Sequence, residues 1–273
     1  MQLAMDARAG SAYKSRSQIA RVVTEGWAAA NLYCVACPGD SLTCAPCNTK
    51  AHDFHCGSCG AFYQLKSREK WSDTRVADAG YSAMMASIAA ERTPNLFVLH
   101  YSPDWHVKNL LLVPSFFFTP SAIEKRKPLA PTARRAGWIG CNILLSQISP
   151  DGKIEVVSHG AERQKACVRE NYARVRPFAL LDSRIRGWAL DVLTLIRSMS
   201  QRRFALKDVY RFEASLSRLH PGNQHVRPKI RQQLQVLRDM GLLNFVERGV
   251  YEVTNWETQN DAGISQNHSG KTN

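Results

Sequence analysis

The sequence predicts an α/β domain built around a cysteine-bound metal, followed by a smaller α+β domain. Three observations predict it. Six of the eight cysteines fall in three Cys-x-x-Cys pairs between Cys34 and Cys59. Helical and strand-like runs alternate through the first two thirds of the chain. Near Ser183 the pattern changes to three helical segments and a hairpin.

The chain has 273 residues, enough for two domains of ordinary size. It is 44% hydrophobic and 22% charged, so it can bury a real core. Formal net charge is +13 and the isoelectric point is about 9.6, a surplus that favours a polyanionic partner. An anionic membrane is the weaker partner: the longest apolar stretch, around Asn109 to Phe118, contains Pro114 and is too short to span. The start, MQLAMDARAGSAYK, has no apolar run before its charges, so no signal peptide is expected. A cytoplasmic protein follows, where disulfides are disfavoured and the cysteines need another use.

Cys34/Cys37 and Cys56/Cys59 are separated by 18 residues, the spacing of a zinc ribbon whose two knuckles close a tetrahedral S₄ site. Cys44/Cys47 could replace either outer pair, and His52 and His55 are close by. A redox Cys-x-x-Cys is disfavoured because no thioredoxin-like βαβ pattern surrounds it. Cys141 and Cys167 read as ordinary, mostly buried small side chains.

The elements follow in order. Ser17 to Leu32 has helical periodicity and leads into the first knuckle. Phe62 to Lys66 alternates like a strand. Val76 to Ala90 reads as an amphipathic helix ending before Pro94. Leu96 to Tyr101 and Lys108 to Val113 read as strands. Lys125 to Arg135, KRKPLAPTARR, is a basic, proline-interrupted loop; Arg134 and Arg135 are its expected DNA contacts. After Ser183 come helices Arg186 to Met199, Leu206 to Leu219 and Arg227 to Met240. A hairpin follows: Leu242 to Val246, a Glu247-Arg248-Gly249 turn, and Val250 to Thr254. Three helices and a hairpin outline a winged-helix domain. The expected boundaries are 1–182, 183–256 and a disordered tail at 257–273.

In the third helix, at 100° per residue, Ile230, Leu234, Val236, Leu237 and Met240 gather on one side. Arg231, Gln232, Gln235 and Arg238 gather on the other. Arg can fork onto guanine or phosphate and Gln onto adenine, so this face suits DNA recognition. A merely solvated face is the plainer reading. The helix's place before a hairpin favours contact with DNA.

The stretch HDFHCGSCGAFYQLKSREK raises a sharper possibility. Asp53, then eleven positions on Gln64-Leu65-Lys66 on a strand, outlines the PD-(D/E)xK nuclease hairpin. That chemistry needs oxygen ligands to hold Mg²⁺ against a phosphate and an ammonium to stabilise charge and orient water. Alternation puts Gln64 and Lys66 on one strand face, toward Asp53. The pattern departs from the motif at two places: His52 stands where Pro is usual, and Gln64 where an acid is usual. A surface hairpin without chemistry is the plain alternative, since Asp and x-Lys pairs are frequent.

Four stretches carry a resemblance: Ala12 to Trp27 (AYKSRSQIARVVTEGW), the knuckles at Cys34/Cys37 and Cys56/Cys59, Lys127 to Ile143 (KPLAPTARRAGWIGCNI) and Lys229 to Asp239 (KIRQQLQVLRD). On these the chain, from about Ala12 to Tyr251, resembles the DpnI-like, methyl-directed type II restriction endonucleases. The resemblance implies a zinc-bearing PD-(D/E)xK domain that cuts and a winged-helix domain that binds, both reading adenine-methylated GATC in double-stranded DNA. It assigns Asp53, Gln64 and Lys66 to the catalytic positions, with Mg²⁺ on Asp53, Gln64 and the backbone carbonyl of Leu65. It assigns zinc to Cys34, Cys37, Cys56 and Cys59 and leaves Cys44/Cys47 as an extra pair. It also implies a bacterial cytoplasmic protein, acting as a monomer. A methyl reader should offer an apolar wall, and Trp138 is the residue expected to supply it, with an ordinary core tryptophan as the plain alternative. The competing reading is a non-catalytic zinc-ribbon/winged-helix DNA-binding regulator, a nuclease decayed at Gln64.

Overall fold

The computed structural model describes residues 1–46, 49 and 52–254. Cys47, Trp256 and the expected tail at 257–273 lie outside the described residues. The chain divides into two compact units, Met1–Ser183 and a second beginning at Arg184.

Helix α1 (Arg16–Asn31) opens the first unit. It buries Val23, Thr24, Trp27 and Ala28, one stripe at helical spacing. Strands β1 (Thr43–Cys44), β2 (Phe54–His55) and β3 (Phe62–Arg68) form an antiparallel meander. Next come β4 (Arg75–Gly80) and α2 (Tyr81–Ala89), then β5 (Asn95–Tyr101) and β6 (Val107–Val113). The expected helix from Val76 to Ala90 is therefore present only from Tyr81 on. Its first third is a strand, because Gly80 weakens a helix interior by about 1 kcal/mol and stands just before the true start at Tyr81.

Strands β7 (Ile123–Lys125), β8 (Gly140–Leu144), β9 (Ile154–Ser158) and β10 (Ala161–Glu162) precede α3 (Lys165–Val175). Seven strands make the main sheet, in the order β1-β2-β3-β5-β6-β9-β10. Only β3 and β5 pair parallel in it. A parallel pair needs a crossover, and β4 with α2 supplies it. Leu96, Phe97, Val98 and Leu99 are all buried, so β5 is covered on both faces and reads as a continuous apolar run. Strands β4, β8 and β7 form a separate three-stranded sheet.

In the second unit α4 (Ser183–Ser198) leads to β11 (Arg203–Ala205). The expected second helix is two: α5 (Leu206–Tyr210) and α6 (Glu213–Leu219). Asp208 accepts the Ala205 N–H at 2.9 Å, which anchors the α5 start. Helix α7 (Val226–Asp239) and strands β12 (Leu243–Glu247) and β13 (Val250–Val253) complete the unit, with sheet order β11-β13-β12. Leu193, Ile196, Val209, Leu216, Ile230, Leu234, Leu237 and Leu242 give it its own core. No helix among the described residues is long and apolar enough to cross a membrane.

Candidate catalytic cluster, metal centre and DNA-binding faces

The outer cysteine pairs come together. The sulfurs of Cys34, Cys37, Cys56 and Cys59 all lie within 4.8 Å of one another. Cys34 to Cys59 and Cys37 to Cys56 are each 3.6 Å. Tetrahedral ligation at about 2.3 Å per bond puts sulfurs about 3.8 Å apart, whereas a disulfide needs about 2.05 Å.

The backbone fits thiolates too. The Gly39 N–H donates to Cys37 Sγ at 3.4 Å, and against burial, which disfavours charge, the backbone amides of Ala36, Ser58 and Ala61 favour the thiolates of Cys34, Cys56 and Cys59. Such donors stabilise negative sulfur. The four cysteines are thus compatible with a zinc site with no position left for a reacting ligand. Cys44 is exposed and stands apart from them, and His52 and His55 are not in the cluster. Cys141 is buried as expected; Cys167 is exposed on α3.

The knuckles are tied to β3. Tyr63 donates its hydroxyl to Cys34 Sγ at 3.1 Å and accepts the Val35 N–H at 3.3 Å. Burial, then the neighbouring Cys34, hold that phenol well above its ordinary range, so it stays a donor. From α3, Arg169 donates to the carbonyls of Cys34 at 3.1 Å and Gly39 at 2.9 Å. Nothing in the sequence marks Arg169 for this.

The next residues on β3 carry the catalytic candidates. Asp53 donates its N–H to Tyr63 O at 2.8 Å. Its Oδ2 accepts the Leu65 N–H at 2.7 Å, which leaves Oδ1 without a protein donor among the described residues. Gln64 and Lys66, two apart on β3, both reach Asp78: Lys66 Nζ lies 2.6 Å from Asp78 Oδ1, and Gln64 Nε2 lies 3.5 Å from the same oxygen. On α1, Thr24 meets Ser67 at 3.0 Å and fixes the far end of this segment.

Asp78 is the residue that sequence reasoning missed. Its side chain is 1% exposed. It lies in a β-bulge: Ala77 pairs with Asn142 and Gly80 with Gly140, so Asp78 and Ala79 together face Cys141. A bulge re-aims a side chain, and bulges are frequent beside active sites. Burial, then the Asp78 charge, raise the Cys141 thiol to about 11, so it is inert. Removing one partner of a buried ion pair costs about 3–5 kcal/mol. Gly80 was the available signal: a glycine after Val-Ala-Asp-Ala argues against a helix and for a bulged strand.

Trp138 is half-buried in the loop between β7 and β8, so it is not a core tryptophan. A Cβ on Gly140 would come within 2.8 Å of the indole, so glycine there allows the ring to lie flat. Arg135 stacks above it, 4.6 Å from the ring centroid. Arg134 and Arg135 are exposed, as are Lys125, Arg126 and Lys127.

On α7 the buried residues are Val226, Ile230, Gln233, Leu234 and Leu237. Val236 and Met240, expected inside, are half-buried, and Gln233 takes a core place instead. Arg231, Gln232, Gln235 and Arg238 are all exposed. Gln232 accepts from Lys229 at 2.8 Å, and Arg238 pairs with Asp239 at 2.9 Å. Arg231 and Gln235 make no side-chain hydrogen bond among the described residues.

The first unit thus sets a cysteine knuckle beside a carboxylate–lysine cluster, and the second carries a basic, exposed helix face. Residues 1–180 match the Dam-replacing family, DpnI, and residues 184–253 match the Dam-replacing HTH domain, the DpnI C-terminal model. The chain belongs to the DpnI family. Membership points to a methylation-dependent DNA-cleaving role, with a helix-turn-helix domain that binds DNA.

Proposed function

We propose that this chain is a Mg²⁺-dependent type II endonuclease that cuts double-stranded DNA at GATC sites carrying N6-methyladenine. The methyl group is required and is read by both units. The first unit serves as a PD-(D/E)xK core with a structural zinc and the second as a winged helix. The protein works in the bacterial cytoplasm, as a monomer, with no membrane partner. The observation that supports this reading is that Asp53 is bonded to the Leu65 N–H, between Gln64 and Lys66 on β3, in a chain of the DpnI family.

Asp53 Oδ1, the Gln64 amide oxygen and the Leu65 carbonyl are the oxygens that would hold the metal, a donor set suited to a hard cation. Bound there, Mg²⁺ would draw charge from the scissile phosphate and lower the pKa of water. Lys66 presents its ammonium to the phosphate as negative charge builds on it and orients the attacking water. Asp53 is held rigid by Leu65 and Tyr63 through backbone hydrogen bonds, so the geometry is set before substrate arrives.

N6-methyladenine shows one N–H and a methyl in the major groove, where unmethylated adenine shows two N–H donors. Trp138 offers the methyl a flat apolar surface, with Arg134 and Arg135 placed for phosphates. In the second unit Arg231, Gln232, Gln235 and Arg238 face the DNA.

Incubation with methylated and unmethylated plasmid, with and without Mg²⁺, tests the reading. Cutting of methylated DNA only, and only with Mg²⁺, is expected. Tight binding without cutting would support the regulator instead.

The second unit should also bind alone. Ser183 to Trp256, expressed by itself, is expected to prefer methylated over unmethylated GATC duplex. Its affinity should fall steeply between two salt concentrations, from phosphate contacts, while the methyl preference persists. Equal affinity for both duplexes would remove its role as a methyl reader.

A further inference from the structure

A buried carboxylate is costly unless it is paired, and both partners of Asp78 Oδ1 are candidate reaction residues. Lys66 is the closer, and Gln64 the second. We propose that Asp78 is the positioning residue of the catalytic site: it selects the Gln64 amide orientation that presents oxygen to the metal, and it holds the Lys66 ammonium in place. The inference deepens the nuclease reading above and rests on it.

The argument turns on glutamine. An amide has an oxygen face and an NH₂ face of similar size, and only the oxygen face suits a cation. A glutamate at position 64 would present oxygen either way. Glutamine needs a neighbour to choose for it. An ionised carboxylate only accepts, so beside Asp78 the NH₂ group is the favoured neighbour. The Gln64 nitrogen does face Asp78, 3.5 Å from its Oδ1, which turns the amide oxygen away from that carboxylate. Asp78 itself is not placed as a metal ligand. Its side chain is enclosed, and one oxygen already receives two donors. The bulge at Asp78 and Ala79 delivers the carboxylate to this point from a strand of the other sheet.

Asparagine at 78 keeps the size but can meet Gln64 with either end, so the choice is lost. Four full-length proteins decide the matter: wild type, Asp78→Asn, Gln64→Glu and the double variant. Mn²⁺ affinity is read by electron paramagnetic resonance without DNA, and cleavage of methylated plasmid is read against Mg²⁺ concentration. Melting temperature and metal-free binding of methylated duplex serve as controls for folding.

Gln64→Glu should bind Mn²⁺ more tightly than wild type, because it adds an anionic ligand. Asp78→Asn should weaken Mn²⁺ binding on the order of tenfold when residue 64 is Gln, and by no more than about twofold when it is Glu. The Mg²⁺ needed for half-maximal cleavage should follow the same pattern. An equal loss in both backgrounds would mean that Asp78 acts only as a distant charge or a structural group, and would overturn the proposal. So would no loss with Gln64. If the wild type fails to cut methylated DNA at all, the nuclease reading falls, while the Mn²⁺ measurements still decide whether Asp78 positions the site.

Discussion

Asp53→Ala is expected to abolish cutting of methylated DNA and to leave binding of that DNA intact. Its carboxylate offers the one anionic oxygen among the proposed metal ligands, since Gln64 is neutral. A hard cation gains most from anionic oxygen, so this site should lose most of its metal affinity with Asp53. The lost electrostatic stabilisation is several kcal/mol, at least about 10³-fold in rate. Folding should suffer little, because Asp53 is half-exposed and makes one side-chain hydrogen bond, to the Leu65 N–H. Lys66→Ala should also abolish cutting, but less cleanly. It strands Asp78 in the interior, and the melting temperature should fall with the activity. Plasmid nicking with Mg²⁺ and gel shift without it separate the two properties. Residual cutting by Asp53→Ala above about a tenth of wild type would remove Asp53 from the metal site.

Different parts of this arrangement were legible for different physical reasons. The cysteine pairs announce themselves because metal ligation fixes both residue type and spacing, so local sequence carries the whole signal. The sequence leaves open which pair joins which; the fold brings Cys34/Cys37 to Cys56/Cys59, and Cys44 stays apart. Strands at Leu96 and Lys108 show as apolar runs because buried strands must be apolar. The position of Gln64 and Lys66 on one strand is likewise local.

Asp78 was hidden because its contacts are not local. It meets Lys66 from a different sheet, through a bulge that no periodicity encodes, inside a segment whose alanines and methionines favour helix. Trp138 shows the same limit. Its neighbours Gly137, Ile139 and Gly140 allow either a core or a surface ring, and the loop that closes between Arg126 and Gly140 decides for the half-exposed one. The strand before α5 is set by tertiary pairing of Arg203–Ala205 with the final hairpin, which local propensity cannot see.

Zinc removal should disable the first unit by a path that can be traced bond by bond. Metal analysis should find about one zinc per chain. Zinc-finger peptides bind the ion with about 10–16 kcal/mol of apparent free energy, most of it expressed as folding. Without zinc, four sulfurs held within 4.8 Å lose their common partner and can spread. Cys56 N–H to Ala61 O, and Gly60 N–H to Cys56 O, then close a turn with no anchor. That turn joins β2 to β3, and Asp53 stands three residues before Cys56. On the other side Tyr63 loses the fixed sulfur it donates to, one residue before Gln64.

A displacement of about 1 Å in a reacting group costs on the order of 10²-fold in rate, so activity should fall before the unit melts. Cys56→Ala, or a strong chelator, should therefore lower cleavage by at least that factor and lower the melting transition of residues 1–183. The transition of the second unit should stay where it is, since its core lies within itself. Calorimetry on the full chain, with and without chelator, reads both transitions. Folded, active protein that contains no zinc would show that four thiols hold this hairpin without a metal, and the link from knuckle to Asp53 would fail at its first step.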